Sequence, residues 1–151
     1  MAKEYIVGAE DSLVKQANTA TVAILVMAHA PLATALKEVA EHVFGEAIDI
    51  TTIDVLPGAC AVDSSDALVA RLTDLDRGAG VLVLTDLPGA SPANICVQAA
   101  QRLNESAIDC AVITGVNASM VVRVLSYRKQ PLEVLAQQAV EGARQTVTRL
   151  N

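Results

Sequence analysis

Two side chains, His29 and Asp86, have the types that group transfer needs, and each follows a short apolar run, Val22 to Met27 (VAILVM) and Val81 to Leu84 (VLVL). A carboxylate that accepts from one imidazole nitrogen fixes the ring tautomer and leaves the other nitrogen free as a nucleophile. It also offsets the positive charge of a ring that takes up a phosphoryl group. Asp86 is followed by Leu87-Pro88-Gly89-Ala90-Ser91-Pro92. Gly89 lets the backbone approach a ligand closely, Ser91 is a good helix N-cap, and Pro92 suits the first helical position. The unpaired amides of such a helix start would face a bound phosphate, and the Ser91 hydroxyl could donate to one of its oxygens. Taken singly, each feature has an ordinary explanation: a glycine turn before a capped helix, a histidine at a strand end, an aspartate in a turn.

The remaining reactive types are weaker candidates. His42 falls one turn after Glu38 on a predicted helix, beside rather than within the apolar stripe, and roughly 20 Å along the chain from His29. It reads as a solvated helix histidine. Cys60, Cys96 and Cys110 show neither CxxC nor metal-ligand spacing. They read as small apolar fillers, reduced in a cytoplasmic compartment.

The elements that must position His29 and Asp86 follow from periodicity. VAILVM and VLVL are continuous apolar runs, as expected of strands buried on both faces. Pro31 opens a helix whose stripe is Leu32, Ala35, Leu36, Val39, Ala40 and Val43. A second strand, Ile48 to Val55, carries threonines and an aspartate and therefore belongs at an edge. After the Pro57-Gly58 turn, Asp63 and Asp66 suggest the start of a helix that ends near Gly78. Cys110 to Ile113 (CAVI) is the fourth strand, Asn117 caps the next helix, and a last helix begins near Leu132. Alternating strands and helices predict an α/β fold: an open, mainly parallel sheet with helices on both faces. Strand polarity gives the order 2-1-3-4, which reverses between strands 1 and 3 and brings the loops of His29 and Asp86 to one crevice.

Composition bounds the rest. The 151 residues suit one domain over residues 21–151, preceded by a polar leader, 1–20, outside the core. Apolar residues make up 52% but aromatics only 2%, so Val, Leu, Ile and Ala must fill the interior. A net charge of −6 disfavours nucleic acid as a partner. No apolar run is long enough to span a membrane, and the leader lacks the apolar core of a signal peptide. A flavin binder of similar topology is disfavoured by the absence of Trp and the single Phe, and no GxxxxGK[ST] loop is present for an NTPase. No cofactor or metal is called for.

The segment VAILVMAHAPLATALKEVAEHVFGE resembles the opening of the mannose-type enzyme IIA family of the bacterial phosphoenolpyruvate:sugar phosphotransferase system, in which a histidine ends the first strand. VLVLTDLPGASPANICVQAA resembles the family's D-x-x-G-G-S-P-x-N motif through Asp86, Gly89, Ser91, Pro92 and Asn94. TGVNASMVVRVL resembles its G-V-N segment through Gly115, Val116 and Asn117. The similarity covers about residues 21 to 151. It implies that His29 is the phosphorylated histidine, Asp86 its orienting aspartate, and Ser91 the serine of the phosphate-proximal loop. It further implies HPr as phosphoryl donor and a IIB component as acceptor, expected here to be a separate protein. Finally, it implies a homodimer that exchanges a short antiparallel edge strand, for which Thr146 to Leu150 (TVTRL) is the candidate.

Three positions depart from the family pattern: Ala90 stands for the loop's second glycine, Pro88 for an aromatic, and Ala30 for a frequent glycine. None removes a group that performs chemistry. A different class of function also fits the residues, a regulatory binding module whose phosphorylation state switches its protein contacts without sugar movement.

Overall fold

The computed structural model of the chain describes residues 20–58 and 61–151. Residues 1–19 of the expected leader, and Cys60, lie outside the described residues. Strands and helices alternate as β1 (Ala23–His29), α1 (Leu32–Phe44), β2 (Thr51–Val55), α2 (Ala61–Leu75), β3 (Val81–Thr85), α3 (Ser91–Glu105) and β4 (Cys110–Ile113), then α4 (Ala118–Ser126) and α5 (Leu132–Thr146). The sheet order is β2-β1-β3-β4 and every pairing is parallel.

The continuous apolar strands are explained by helices on both faces. Along β1, Val22, Ile24, Val26 and Ala28 join a core that includes Ala33, Leu36 and Ala40 of α1, Met120, Val121 and Val124 of α4, and Leu135 and Ala139 of α5. The alternate residues Ala23, Leu25 and Met27 face Leu68 and Leu72 of α2 and Ile95, Cys96, Ala99 and Leu103 of α3. Period-two alternation is thus present in β1 but invisible to hydropathy, because both faces are apolar. By contrast, β2 is half-buried along most of its length, as an edge strand should be.

Glycines end and start elements where left-handed backbone is required. Gly45 closes α1 at φ 71°, its N–H donating to Glu41 O. Gly80 leads into β3 at φ 85°, where an added Cβ would lie 2.7 Å from the Asp109 carbonyl oxygen. Glycine is needed there on both counts.

Several boundaries differ from the expectations. β2 starts at Thr51, because the N–H of Ile50 donates to Ile48 O in a tight turn before the strand joins the sheet. α2 begins at Ala61, ahead of Asp63 and Asp66, and Asp66 pairs with Arg102 of α3. α3 begins at Ser91 with extended Ala90 in the N-cap position, so Ser91 lies inside the first turn and Pro92 follows it. Thr146 belongs to α5, and residues 147–151 continue without regular structure. Among the described residues the chain's own sheet contains no antiparallel strand.

Candidate functional site

The first, second and third strands end side by side, which brings residues distant in sequence to one rim. His29 is the last residue of β1 and pairs in register with Val55 of β2. On the other side, Met27 pairs with Thr85, so Asp86 leaves β3 beside the end of β1. Asp86 Oδ2 accepts from the His29 backbone N–H at 3.0 Å and lies 2.7 Å from His29 Nδ1. Asp86 Oδ1 accepts from the Leu87 N–H at 2.8 Å. The Asp86 backbone is held as well: its carbonyl accepts from the Gly115 N–H, and Thr85 O accepts from the Val116 N–H. The GVN segment after β4 therefore fixes the backbone of the aspartate.

Burial and hydrogen bonding act oppositely on the Asp86 carboxyl. Burial would raise its pKa; the His29 amide, the His29 ring and the Leu87 amide, all donating, hold it below the ordinary value instead. Asp86 is therefore ionised at neutral pH and can only accept, so Nδ1 carries the ring proton. In the neutral ring this leaves Nε2 with a bare lone pair. The ring is 49% exposed, while the Asp86 side chain is 9% exposed. A half-exposed imidazole is thus backed by a sheltered, fixed carboxylate.

The loop after Asp86 turns at Gly89, φ 81°, into α3. Asn94 Nδ2 donates to Gly89 O at 3.1 Å, tying the turn to the helix it precedes. No side chain caps α3 and its first turn contains no acidic residue. Ser91 is exposed. The expected cap is absent, and its absence leaves both the Ser91 hydroxyl and the helix start open to an anion.

The start of α1 is arranged differently. The Ala30–Pro31 peptide is cis, and the Ala30 N–H donates to Val55 O at 3.0 Å. Asp54 of β2 accepts from the Ala33 N–H at 2.9 Å, the Thr34 N–H at 3.3 Å and the Thr34 hydroxyl. This helix N-terminus is filled by the protein's own carboxylate. Sequence reasoning missed Asp54; the signal was an aspartate near the end of a strand otherwise made of Thr, Ile and Val, where it reads only as an edge marker.

Three exposed apolar side chains follow the ends of the three strands: Leu32 at the start of α1, at 36% exposure, Leu56 after β2 at 68% and Leu87 after β3 at 60%. His42 is exposed on α1, as expected. Cys96 is buried and its thiol is pushed up to about 12; burial likewise pushes half-buried Cys110 up to about 11. Neither forms thiolate near neutral pH. Among the described residues no group of three His, Cys, Asp or Glu side chains could hold a metal ion, and no helix is long and apolar enough to cross a membrane.

Comparison with known proteins places the fold and the family. A family described as "PTS system fructose IIA component" matches residues 23–140. The mannose-specific EIIAB component of the phosphotransferase system from Escherichia coli K12 is 36% identical over 132 residues, 86% of this chain. The chain spans about 40% of that relative's length. Among solved structures, the mannose/sorbose specific IIA subunit from Enterococcus faecalis superposes with a TM-score of 0.76 at 20% identity, covering 86% of this chain and 95% of that one. The PTS IIA protein associated with the fucose utilization operon of Streptococcus pneumoniae gives 0.68 at 26% identity, covering 87% and 95%. The chain belongs to the mannose-type IIA family of the phosphoenolpyruvate:sugar phosphotransferase system.

Proposed function

We propose that the protein is a cytoplasmic phosphocarrier that accepts a phosphoryl group on His29 Nε2 from HPr and passes it to a IIB component during sugar uptake. The observation that carries this reading is the 2.7 Å contact between His29 Nδ1 and Asp86 Oδ2 beneath a half-exposed ring. In the transfer step the Nε2 lone pair attacks phosphorus and a new N–P bond forms. The bond from phosphorus to the donor breaks, its electron pair leaving on the donor. The ring keeps the Nδ1 proton and becomes positive, and the ionised Asp86 carboxylate stabilises that charge without taking the proton. The open start of α3, with Ser91 and the turn at Gly89, is suited to bind the phosphoryl oxygens. Onward transfer reverses these bonds on the acceptor.

Leu32, Leu56 and Leu87 favour proteins as donor and acceptor, since an apolar rim around an exposed nucleophile suits a macromolecular surface rather than a small polar donor. The name of the Escherichia coli relative joins IIA and IIB, which fits a IIB acceptor.

The test is incubation with phosphoenolpyruvate, enzyme I and HPr, followed by mapping of acid-labile phosphate. His29→Ala should abolish labelling and His42→Ala should leave it intact. Labelling that persists in His29→Ala would sink the proposal.

A further inference from the structure

We propose that Asp54 is a positioning residue for His29, holding the chain that follows the histidine so that the ring keeps its single orientation toward Asp86. The proposal rests on the reading of His29 as the phosphorylated residue only for its kinetic consequence; the geometric claim stands apart from it.

The His29 ring is half-exposed, so packing alone does not fix it. What holds it, among the described residues, is the contact of its Nδ1 with Asp86 and the direction of the backbone through His29. That backbone is anchored on the β3 side by the His29 N–H on Asp86. On the β2 side, only Ala30 and Pro31 separate His29 from α1. This short link is tied to β2 at both ends: at Ala30 through Val55 O, and at Ala33 and Thr34 through the Asp54 carboxylate. Asp54 is in register with Ala28, the residue just before His29. One carboxylate therefore accepts from two backbone amides and one hydroxyl of the first helical turn after the nucleophile. Pro31 provides no side-chain cap for that helix, and the first turn carries no acidic residue of its own. With the carboxylate gone, the link would keep the Ala30 N–H bond to Val55 O and α1 the Ala35 N–H bond to Pro31 O, but the first helical turn would lose its fastening to β2. The link bearing His29 would then sample other directions, and the Nδ1 contact, which needs a defined ring plane, would be intermittent. Misplacement of a reacting group by about 1 Å can cost up to 10²-fold in rate.

A second consequence concerns the anion. The site has two adjacent helix starts, and Asp54 fills the one at α1, whereas the start of α3 has no side-chain cap. The same carboxylate thus biases a bound phosphoryl group toward α3.

The experiment uses the full chain with ¹⁵N-labelled histidine. In the wild type, His29 should show the Nδ1–H tautomer with a bare Nε2. In Asp54→Ala that preference should be lost, and phosphoryl transfer to His29 should slow by about tenfold or more. Asp54→Asn, whose amide oxygen can still accept from the first-turn amides, should restore both to within a few-fold. Asp76→Ala is the control for simple loss of stability. Asp76 Oδ1 accepts from the N–H groups of Gly78 and Gly80 at the opposite end of the sheet. It should lower the melting temperature while leaving the His29 tautomer and transfer rate at wild-type levels. Should Asp54→Ala fail to fold, Thr34→Val replaces it, and the tautomer preference should weaken in the same direction. The proposal is overturned by a wild-type tautomer in folded Asp54→Ala, or in Thr34→Val where that is the variant used. A control that slows transfer as much as Asp54→Ala overturns it too. If the wild type takes up no phosphate at all, the function proposed above fails, and the tautomer still decides the role of Asp54.

Discussion

His29 and Asp86 divide one task between an exposed group and a sheltered one. The His29 ring stands half-exposed at the rim, where the proposed transfer would need it to meet another protein, and Asp86 is bonded on both oxygens and through its backbone, as a fixed charge beside it would be. Asp86→Asn should keep the fold yet slow phosphoryl transfer by roughly 10²-fold or more, because an amide neither selects one tautomer reliably nor offsets the ring's positive charge. Stopped-flow transfer kinetics would check this, and wild-type rates in a folded variant would reduce Asp86 to a turn residue. The carboxyl's lowered pKa has a further consequence for stability. A group whose folded pKa lies below its unfolded value stabilises fully above the unfolded value, and the contribution is lost as pH falls through the folded one. The ordinary value is 3.8, and the folded value lies beneath it. The stability that the Asp86 carboxylate gives the wild type over Asp86→Asn, measured by urea unfolding, should therefore shrink progressively as the pH falls below 3.8. A difference that stays undiminished far below that value would contradict the lowered pKa of the carboxyl.

The starts of the helices show how an element's boundary decides what its residues can do. Asn117 is a working N-cap, its side-chain oxygen accepting from the Met120 N–H at 3.0 Å. Asn117→Ala should cost about 1 kcal/mol and lower the melting temperature by roughly 2–4 °C. Ser91 matches the N-cap pattern equally well in sequence, yet the helix begins one residue earlier and Ser91 caps nothing. Ser91→Ala should accordingly leave the melting temperature within about 1–2 °C of wild type, as a surface substitution does, while slowing transfer if the hydroxyl contacts phosphoryl oxygens. A loss of stability equal to that of Asn117→Ala would restore the capping role. This pair shows where the sequence was legible. The strand order, both central strands, the His29–Asp86 meeting and the Asn117 cap all follow from patterns with a strong physical cause, continuous burial or a specific side-chain acceptor. What escaped depended on partners far along the chain. Asp54 caps a helix that precedes it in sequence by some twenty residues, with |i−j| of 20 and 21 for its bonds. No local rule connects a strand aspartate to an earlier helix. The start of β2 escaped for a related reason: Ile48 and Ile50 continue its apolar pattern but leave the sheet through a turn.

At the scale of the whole molecule, the two sheet edges are unequal. β2 carries threonines and an aspartate, whereas β4 is the apolar run CAVI and packs against α5. Val112 and Ile113 of β4, with Val140, Ala143 and Val147, line a groove of about 560 Å³ along that edge. An apolar edge strand with unpaired backbone groups invites pairing with another chain. The same chain carries a short β-capable tail past α5, in which Val147 is 84% and Leu150 95% exposed. The homodimer proposed from the family resemblance would satisfy both features, each copy's tail adding an antiparallel strand to its partner's β4 in a closed, two-fold arrangement. Thr146 is part of α5, its hydroxyl bonded to Gly142 O, so the informative truncation leaves the helix intact and removes residues 147–151. Sedimentation of the full chain at micromolar concentration should give a dimer. The truncated chain should dissociate or aggregate, because the edge is then bare on every copy. A monomeric full chain, or a soluble dimer that survives truncation, would rule out exchange of the tail and leave β4 to be covered by some other surface.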